Sequence, residues 1–443
     1  MRPFVLALAV LVGPGVASRA LAAPPKLTLE QVIERSLRGP RAKMALSDTD
    51  AAEARVEEAD AARLPRVKVT AFSTISPRIR CVDVACTVTS PTEFALAFDG
   101  LFAGAQIDVT QPLYTFGKIS HARRAARAGV EAQRALANEA AGDLAVEAAR
   151  AYWGLKLARE LGGMLDDGID EIAKARARMD ERTGKDAPSI QDRQRVAVLL
   201  AEAKAQRADA RSGELQALAG LRALTGMSEV DIDDVPLDAL EQTAAPAATG
   251  AQRPQALAAQ QGALAADELT ALAKSYYWPD IALVGSAVAA GAQGADNPPS
   301  AFANDPYNRL GAAVVLALQW TAEPWNIKAR VARASAEANK AHALAELAAA
   351  GASYDAGTAV AEATAAREKV DAARDGELAA RAWVASVLQA DAIGAAEAKD
   401  LADAYIAWFQ MRARWAQSVF QWNVAVVRLG RASGEYRAGK RRP

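Results

Sequence analysis

Histidine and cysteine are nearly absent from this chain of 443 residues, which has two of each. So small a supply leaves no Ser/His/Asp arrangement, and no glycine loop of the phosphate-cradling kind occurs either. His121 and His342 lie far apart and read as solvated or packed residues rather than catalytic ones. No charge of one sign predominates: 52 Lys and Arg against 53 Asp and Glu leave −1, which gives no electrostatic reason to expect nucleic acid. Aromatics are only 6% of the chain. Its Ala-rich helices approach one another closely but bury little apolar area per residue, so they need neighbours from other subunits. Beyond the N-terminus no run reaches the roughly 18–20 apolar residues of a spanning helix. The runs 281–292 and 311–318 are instead the size of tilted membrane strands, which need about 9–11 residues.

Proline is missing from two long stretches, 113–187 and 325–442, and crowds around positions 65–112 and 279–324. Because proline breaks helix interiors, the proline-free stretches are where very long helices survive. The first predicts a helix over 118–182, a tip at 183–188, and a return helix capped by Ser189 and ending at Thr225-Gly226. The second predicts a helix over 328–392, a turn at Ile393-Gly394, and a return to 431. Such hairpins call for sustained coiled-coil-like contact. A cytoskeletal-type coiled coil is the competing reading, weakened by strands and an export signal.

Each hairpin follows a strand pair, and the two copies repeat. LPRVKVTAF from Leu64 and FAGAQIDVTQPLYTFGKISHARRAARA from Phe102 correspond to YWPDIALVG from Tyr277 and GAAVVLALQWTAEPWNIKARVARASA from Gly311. Pro65 aligns with Pro279 and Lys118 with Lys328, offsets of 214 and 210 residues. A helix over 28–64, opened by a Thr28/Gln31 capping box, leads into the first strand pair. A matching helix starts at Pro254. The segment 227–253 between the repeats reads as an irregular connector with one short helix. In the first copy Ile107 and Val109 alternate with Gln106, Asp108 and Thr110, and Val67 and Val69 with Lys68 and Thr70, as lipid-facing and lumen-facing positions would. Leu310, Ala312, Val314, Leu316 and Leu318 share a face in the second copy, but the opposite face is also small and apolar. Four strands cannot close a spanning barrel, so several chains must contribute.

The N-terminus reads as an export signal: Arg2, an apolar core over 4–16, and Ala20-Leu21-Ala22 for cleavage. The expected organisation is a signal peptide at 1–23, a first repeat at 24–226, the connector at 227–253, a second repeat at 254–434 and a basic C-terminal tail at 435–443. An exported chain without spanning helices is either free in that compartment or a barrel in an outer membrane. Cys81 and Cys86 sit in the loop between the first two strands. A disulfide staple is favoured there by an oxidising compartment over free thiols, and a metal site lacks partners.

The order, duplication and spacing of these segments resemble the TolC-type outer-membrane channel family over essentially the whole mature chain. The residues that carry the resemblance are LTLEQVIERSL at the start, Gln111-Pro112-Leu113-Tyr114-Thr115-Phe116-Gly117-Lys118 at the strand-to-helix junction, Leu224-Thr225-Gly226, and Gly394 followed by Asp400-Leu401, Asp403-Ala404 and Gly434. The resemblance implies a mainly α chain with a β-barrel contribution, assembled as a homotrimer. Its twelve-stranded barrel would sit in outer-membrane lipid on a periplasmic α-helical tunnel. It also implies a passive exit channel of a tripartite efflux or type I secretion system, opened by a periplasmic adaptor (a membrane fusion protein) and an inner-membrane transporter. No cofactor and no bond-making chemistry are implied. Asp400 and Asp403 match the family's pore-constricting aspartates, with solvated surface acids as the alternative. Asp192 matches a third if two residues are inserted after Gly184. Ala396 stands where the family has a gating arginine, so Arg182, Lys185 or Arg193 would have to hold the closed state. Gly184 and Gly394 mark the adaptor-facing tips. The competing function is a non-conducting periplasmic or surface coiled-coil protein.

Overall fold

The computed structural model describes residues 25–77, 98–181, 189–241, 253–293, 307–393 and 398–438. The expected signal peptide, both cysteines and both tip glycines lie outside them. Along the chain run β1 (Lys26–Leu27), α1 (Leu29–Ser36), α2 (Pro40–Ala61), β2 (Arg66–Pro77), β3 (Phe98–Tyr114), α3 (Lys118–Glu181), α4 (Ile190–Thr225), β4 (Asp231–Ile232), α5 (Pro254–Ser275), β5 (Asp280–Ala292), β6 (Arg309–Gln319), α6 (Pro324–Ala392) and α7 (Ala398–Ala432). The strand pair followed by a long helical hairpin therefore occurs twice. At about 1.5 Å per residue, α3 and α6 are each roughly 100 Å long.

Thr28 caps α1 and forms the full capping box with Gln31, as expected. The helix does not run on to 64, however. It stops after Ser36 and restarts at Pro40, because Pro40 cannot supply an interior N–H and Gly39 runs against α4: a Cβ there would lie 2.6 Å from the Leu224 carbonyl oxygen. Gly226 takes φ 70° just past α4 and Gly434 takes φ 72° past α7, the left-handed conformation that ends helices without a Cβ penalty. The connector is described in part. Its described residues, 227–241, contain no helix but a two-residue strand, β4, paired in parallel with β1.

The chain divides into two compact units. One, comprising Met1–Gly39, Glu147–Leu240 and Ala366–Val424, is helical apart from the β1–β4 pair. Leu155, Leu221, Ile232, Val32, Val419 and Trp422 are fully buried there. Near the tip of the second hairpin Val384 and Val387 of α6 pack on Ala404 of α7, flanked by Leu401, Tyr405 and Trp408. Small residues at the contact let the two helices approach closely.

The other unit comprises Pro40–Val146, Glu241–Ala365 and Ala425–Pro443 and contains the sheet. Its strand order is β2-β3-β5-β6, antiparallel throughout, so the central β3–β5 pair joins the two repeats. Below the sheet, Arg253 is 2% exposed and reaches Asp355 at 2.6 Å and Glu139 at 3.6 Å. Arg431 also reaches Glu139, at 2.6 Å. The described start of the C-terminal tail is tied back to α3, the Ala438 N–H donating to Asn138 Oδ1 at 3.1 Å.

Candidate functional site

The sheet sorts its side chains by chemistry. Following the register, one face carries Val67, Val69 and Ile75 of β2, Leu101, Ile107 and Val109 of β3, Ile281 and Leu283 of β5, and Leu310, Val314, Leu316 and Leu318 of β6. Most are exposed, with Leu310 at 91% and Val314 at 70%. The other face carries Arg66, Lys68, Thr70 and Thr74, then Gln106, Asp108 and Thr110, then Ser286 and Arg309. Gln106 donates to Asp108 across this face at 2.8 Å. Along β3 and β5 the apolar positions are mostly exposed and the polar ones mostly half-buried, so the polar face is the more crowded. A continuous apolar face of this extent is stable against hydrocarbon and costly in water. Among the described residues the outer edges of β2 and β6 have no partner strand, and such edges demand pairing within a membrane. No described helix is long and apolar enough to cross a membrane.

The junction predicted from Gln111-Pro112-Leu113-Tyr114-Thr115-Phe116-Gly117-Lys118 is a tight turn from β3 into α3. Phe116 and Gly117 take φ 47° and 91°, left-handed conformations costly for Phe and free for Gly. Stacking of Phe116 on Trp278, centroids 5.6 Å apart and planes 13° apart, holds the turn in place. Lys118 then latches the first repeat to the second, donating to Asp280 Oδ1 at 2.8 Å and to the Trp278 carbonyl at 3.0 Å. The two histidines, apart in the sequence, both pair with α5. His121 sits 2.7 Å from Glu268 and His342 3.0 Å from Asp267. The bond from Arg124 to Glu268, opposed by burial and helped by His121, holds the Glu268 carboxyl below its ordinary range.

Asp400 and Asp403 are both exposed on α7. Asp400 lies in the first turn, where a carboxylate is favoured by the helix dipole. The two acids lie outside the stripe Leu401, Ala404, Tyr405 and Trp408 that packs on α6, and Trp408 donates to Glu377 of α6 at 3.0 Å. This hairpin therefore leaves them exposed. Asp192 is the third residue of α4, and its side chain lies outside the described set, as do Gly184, Gly394, Ala396, Cys81 and Cys86. Among the described residues no three His, Cys, Asp or Glu side chains are grouped to hold a metal ion.

The sequence reading missed a polar node in the helical unit. Lys156, with its side chain 5% exposed, donates to Asp233 Oδ1 at 2.6 Å and to the Val235 carbonyl. Tyr152 donates to Asp233 Oδ2 at 2.7 Å. Burial pushes the Asp233 carboxyl up, but Lys156 and Tyr152 outweigh it and hold the group below the usual carboxylate range. Burial, reinforced by Asp233, raises the Tyr152 phenol. A second clasp is Asn423, wholly buried, which donates to the Asp238 carbonyl at 2.8 Å and accepts from the Leu240 N–H at 2.8 Å. Together these bonds fix the connector to α3 and α7. No local sequence signal marked it: Glu160, four residues on, offers Lys156 an ordinary helix-surface partner, whereas the acid that Lys156 takes lies 77 residues away.

Comparison with known proteins gives the same architecture. Residues 37–227 match the family model described as outer membrane efflux protein. The chain is 15% identical to the Campylobacter jejuni CmeC outer membrane channel, with 93% of this chain and 87% of that one covered at a TM-score of 0.76. It is 15% identical to the outer membrane protein VceC from Vibrio cholerae, covering 93% and 97% at 0.73. It is 19% identical to the open state of the Neisseria gonorrhoeae MtrE outer membrane channel, covering 93% and 89% at 0.73. Among curated proteins no relative matches by sequence.

Proposed function

We propose that this chain is an outer-membrane efflux-type channel protein, one third of a passive exit duct opened from the periplasm; the family match over residues 37–227 and the fold support that reading. The observation that carries the reading is the two-sided sheet, apolar on one face and polar on the other, with two unpartnered edges. Joining β6 of one copy to β2 of the next satisfies both edges. Three copies of a four-stranded sheet then make twelve strands, a barrel wide enough for a water-filled lumen. The long hairpins continue the duct as a helical tunnel on the periplasmic side, where a membrane fusion protein and an inner-membrane transporter dock at the tips near Gly184 and Gly394. Residues 1–23 are the cleaved leader. The two repeats span 24–226 and 254–434, with the connector 227–253 belonging to an equatorial region.

Asp400 and Asp403 supply the periplasmic constriction, with Asp192 as a further acid. Their support is their shared exposure on α7, outside the stripe that packs on α6. Three copies of each around a narrow axis concentrate negative charge and favour cations. Trimers reconstituted in planar bilayers should conduct with cation preference, and replacing Asp400 and Asp403 with alanine should lower that preference and relieve block by multivalent cations. Absence of any conductance from verified trimers would remove the channel reading. An unchanged double variant would remove only the gate assignment.

A further inference from the structure

The polar face of the sheet has two rings where alternation calls for polar groups. Phe72 and Phe102 both lie on the face of Lys68 and Asp108, with centroids 5.0 Å apart. Tyr307, just ahead of β6, meets Phe102 edge-on at 5.5 Å. In one row across the sheet the register sets Phe72 opposite Gly104, Gly104 opposite Ala290, and Ala290 opposite Arg309. The floor of that row is bare: a Cβ added to Gly104 would come within 2.8 Å of Phe72 Cζ. The Phe72 ring thus leans over its neighbour strand while remaining 38% exposed. Rings needed only for packing would be cheaper on the apolar face beside Ile75 and Leu101.

We propose that Phe72, Phe102 and Tyr307, with Arg309 across the Gly104–Ala290 floor, form a lumenal shelf for aromatic anions. This rests on the channel reading above. The strands of Phe72 and Arg309 are three spacings apart, about 14 Å. The Phe72 ring leans over the first of those spacings, and the remaining width up to the strand of Arg309 is that of one fused ring bearing an acid group. The ring stacks on Phe72 and Phe102, and the acid faces the guanidinium. Stacking and a solvated ion pair are each weak, so the site slows a passing molecule without trapping it, as a duct requires.

The test is single-channel recording from trimers in planar bilayers, comparing naphthalene-1-sulfonate with hexane-1-sulfonate, which carry the same charge. The naphthalene compound should dwell about three- to tenfold longer. Phe72→Leu should abolish that ratio, and Arg309→Gln should shorten both dwell times while keeping it. Should Phe72→Leu fail to insert, Phe102→Leu makes the same test. Equal dwell times in the wild type, or a ratio untouched by loss of the phenylalanine, overturns the shelf while open-pore conductance keeps the channel. A trimer with no conductance overturns both.

Discussion

Val314 and Val315 are the same residue one position apart, and the register sends them to opposite faces. Val314 lies opposite Gly285, among Leu316, Leu318 and Leu283 on the apolar side. Val315 lies opposite Val284, in the row that continues to Thr110 and Arg66. Val314 is also the midpoint of β6, which puts it near the middle of the hydrocarbon. An arginine at such a depth on the lipid face costs about 2–4 kcal/mol, and a lumen-facing one meets water and costs little. Three copies multiply the lipid-face cost to about 6–12 kcal/mol per trimer, enough to empty the assembled state. Val314→Arg should therefore abolish heat-resistant trimers and lower the urea midpoint of the barrel in vesicles. Val315→Arg should assemble normally and shift ion preference toward anions. If Val315→Arg proves the more damaging of the two, the inside and outside of the barrel have been assigned the wrong way round, and the shelf and duct fall with them.

Lys156→Met strands the Asp233 carboxylate among buried groups and should cost about 3 kcal/mol in unfolding free energy, read from the midpoint of a circular-dichroism melt. Its pH signature follows from the sign of the shift. The folded carboxyl titrates below its unfolded value of 3.8, so its contribution is complete above that pH and is lost as pH falls through the depressed value. The variant should flatten this acid limb; an acid limb identical to the wild type's would count against the node. Gly117→Ala forces φ 91° on a residue with a Cβ and should cost about 1–2 kcal/mol, measured as lowered trimer melting, whereas Gly129→Ala in mid-helix should not destabilise.

Proline placement made the long helices legible, because 113–187 and 325–442 leave nothing to break them, and α3 and α6 fill most of both stretches. The break at Gly39-Pro40 was equally visible as a dipeptide. Its cause, the approach of the Leu224 carbonyl, comes from a residue far away in sequence, so the helix was read as continuous. β3 announced its two faces through Gln106, Asp108 and Thr110. β6 did not, since Ala313 and Val315 are as apolar as Ala312 and Val314. Only pairing decides that strand: Ala313 lies opposite Ser286, which lies opposite Asp108, which lies opposite Lys68. Two patterned strands, β2 and β3, thus assign the two weakly patterned ones, which is why sheet faces are harder to read strand by strand than as a set.

The same logic separates what was visible of the site from what was not. Asp400 and Asp403 stood out through their match to the family's pore-constricting aspartates, since by spacing alone two acids on a helix read as a solvated surface; the stripe Leu401, Ala404, Tyr405 and Trp408 shows which side of α7 packs on α6. The Lys156–Asp233 pair joins positions 77 residues apart, a separation over which no local pattern operates. Phe72 and Phe102 were hidden for a different reason: in a strand rich in Val, Ile and Ala an aromatic looks like one more β-former. Its meaning comes from parity with Lys68 and Asp108, and parity has no content until the register is known. Side chains that violate their own face are the ones that packing does not explain, so the rows containing them are where a duct with no chemistry of its own can still distinguish among its passengers.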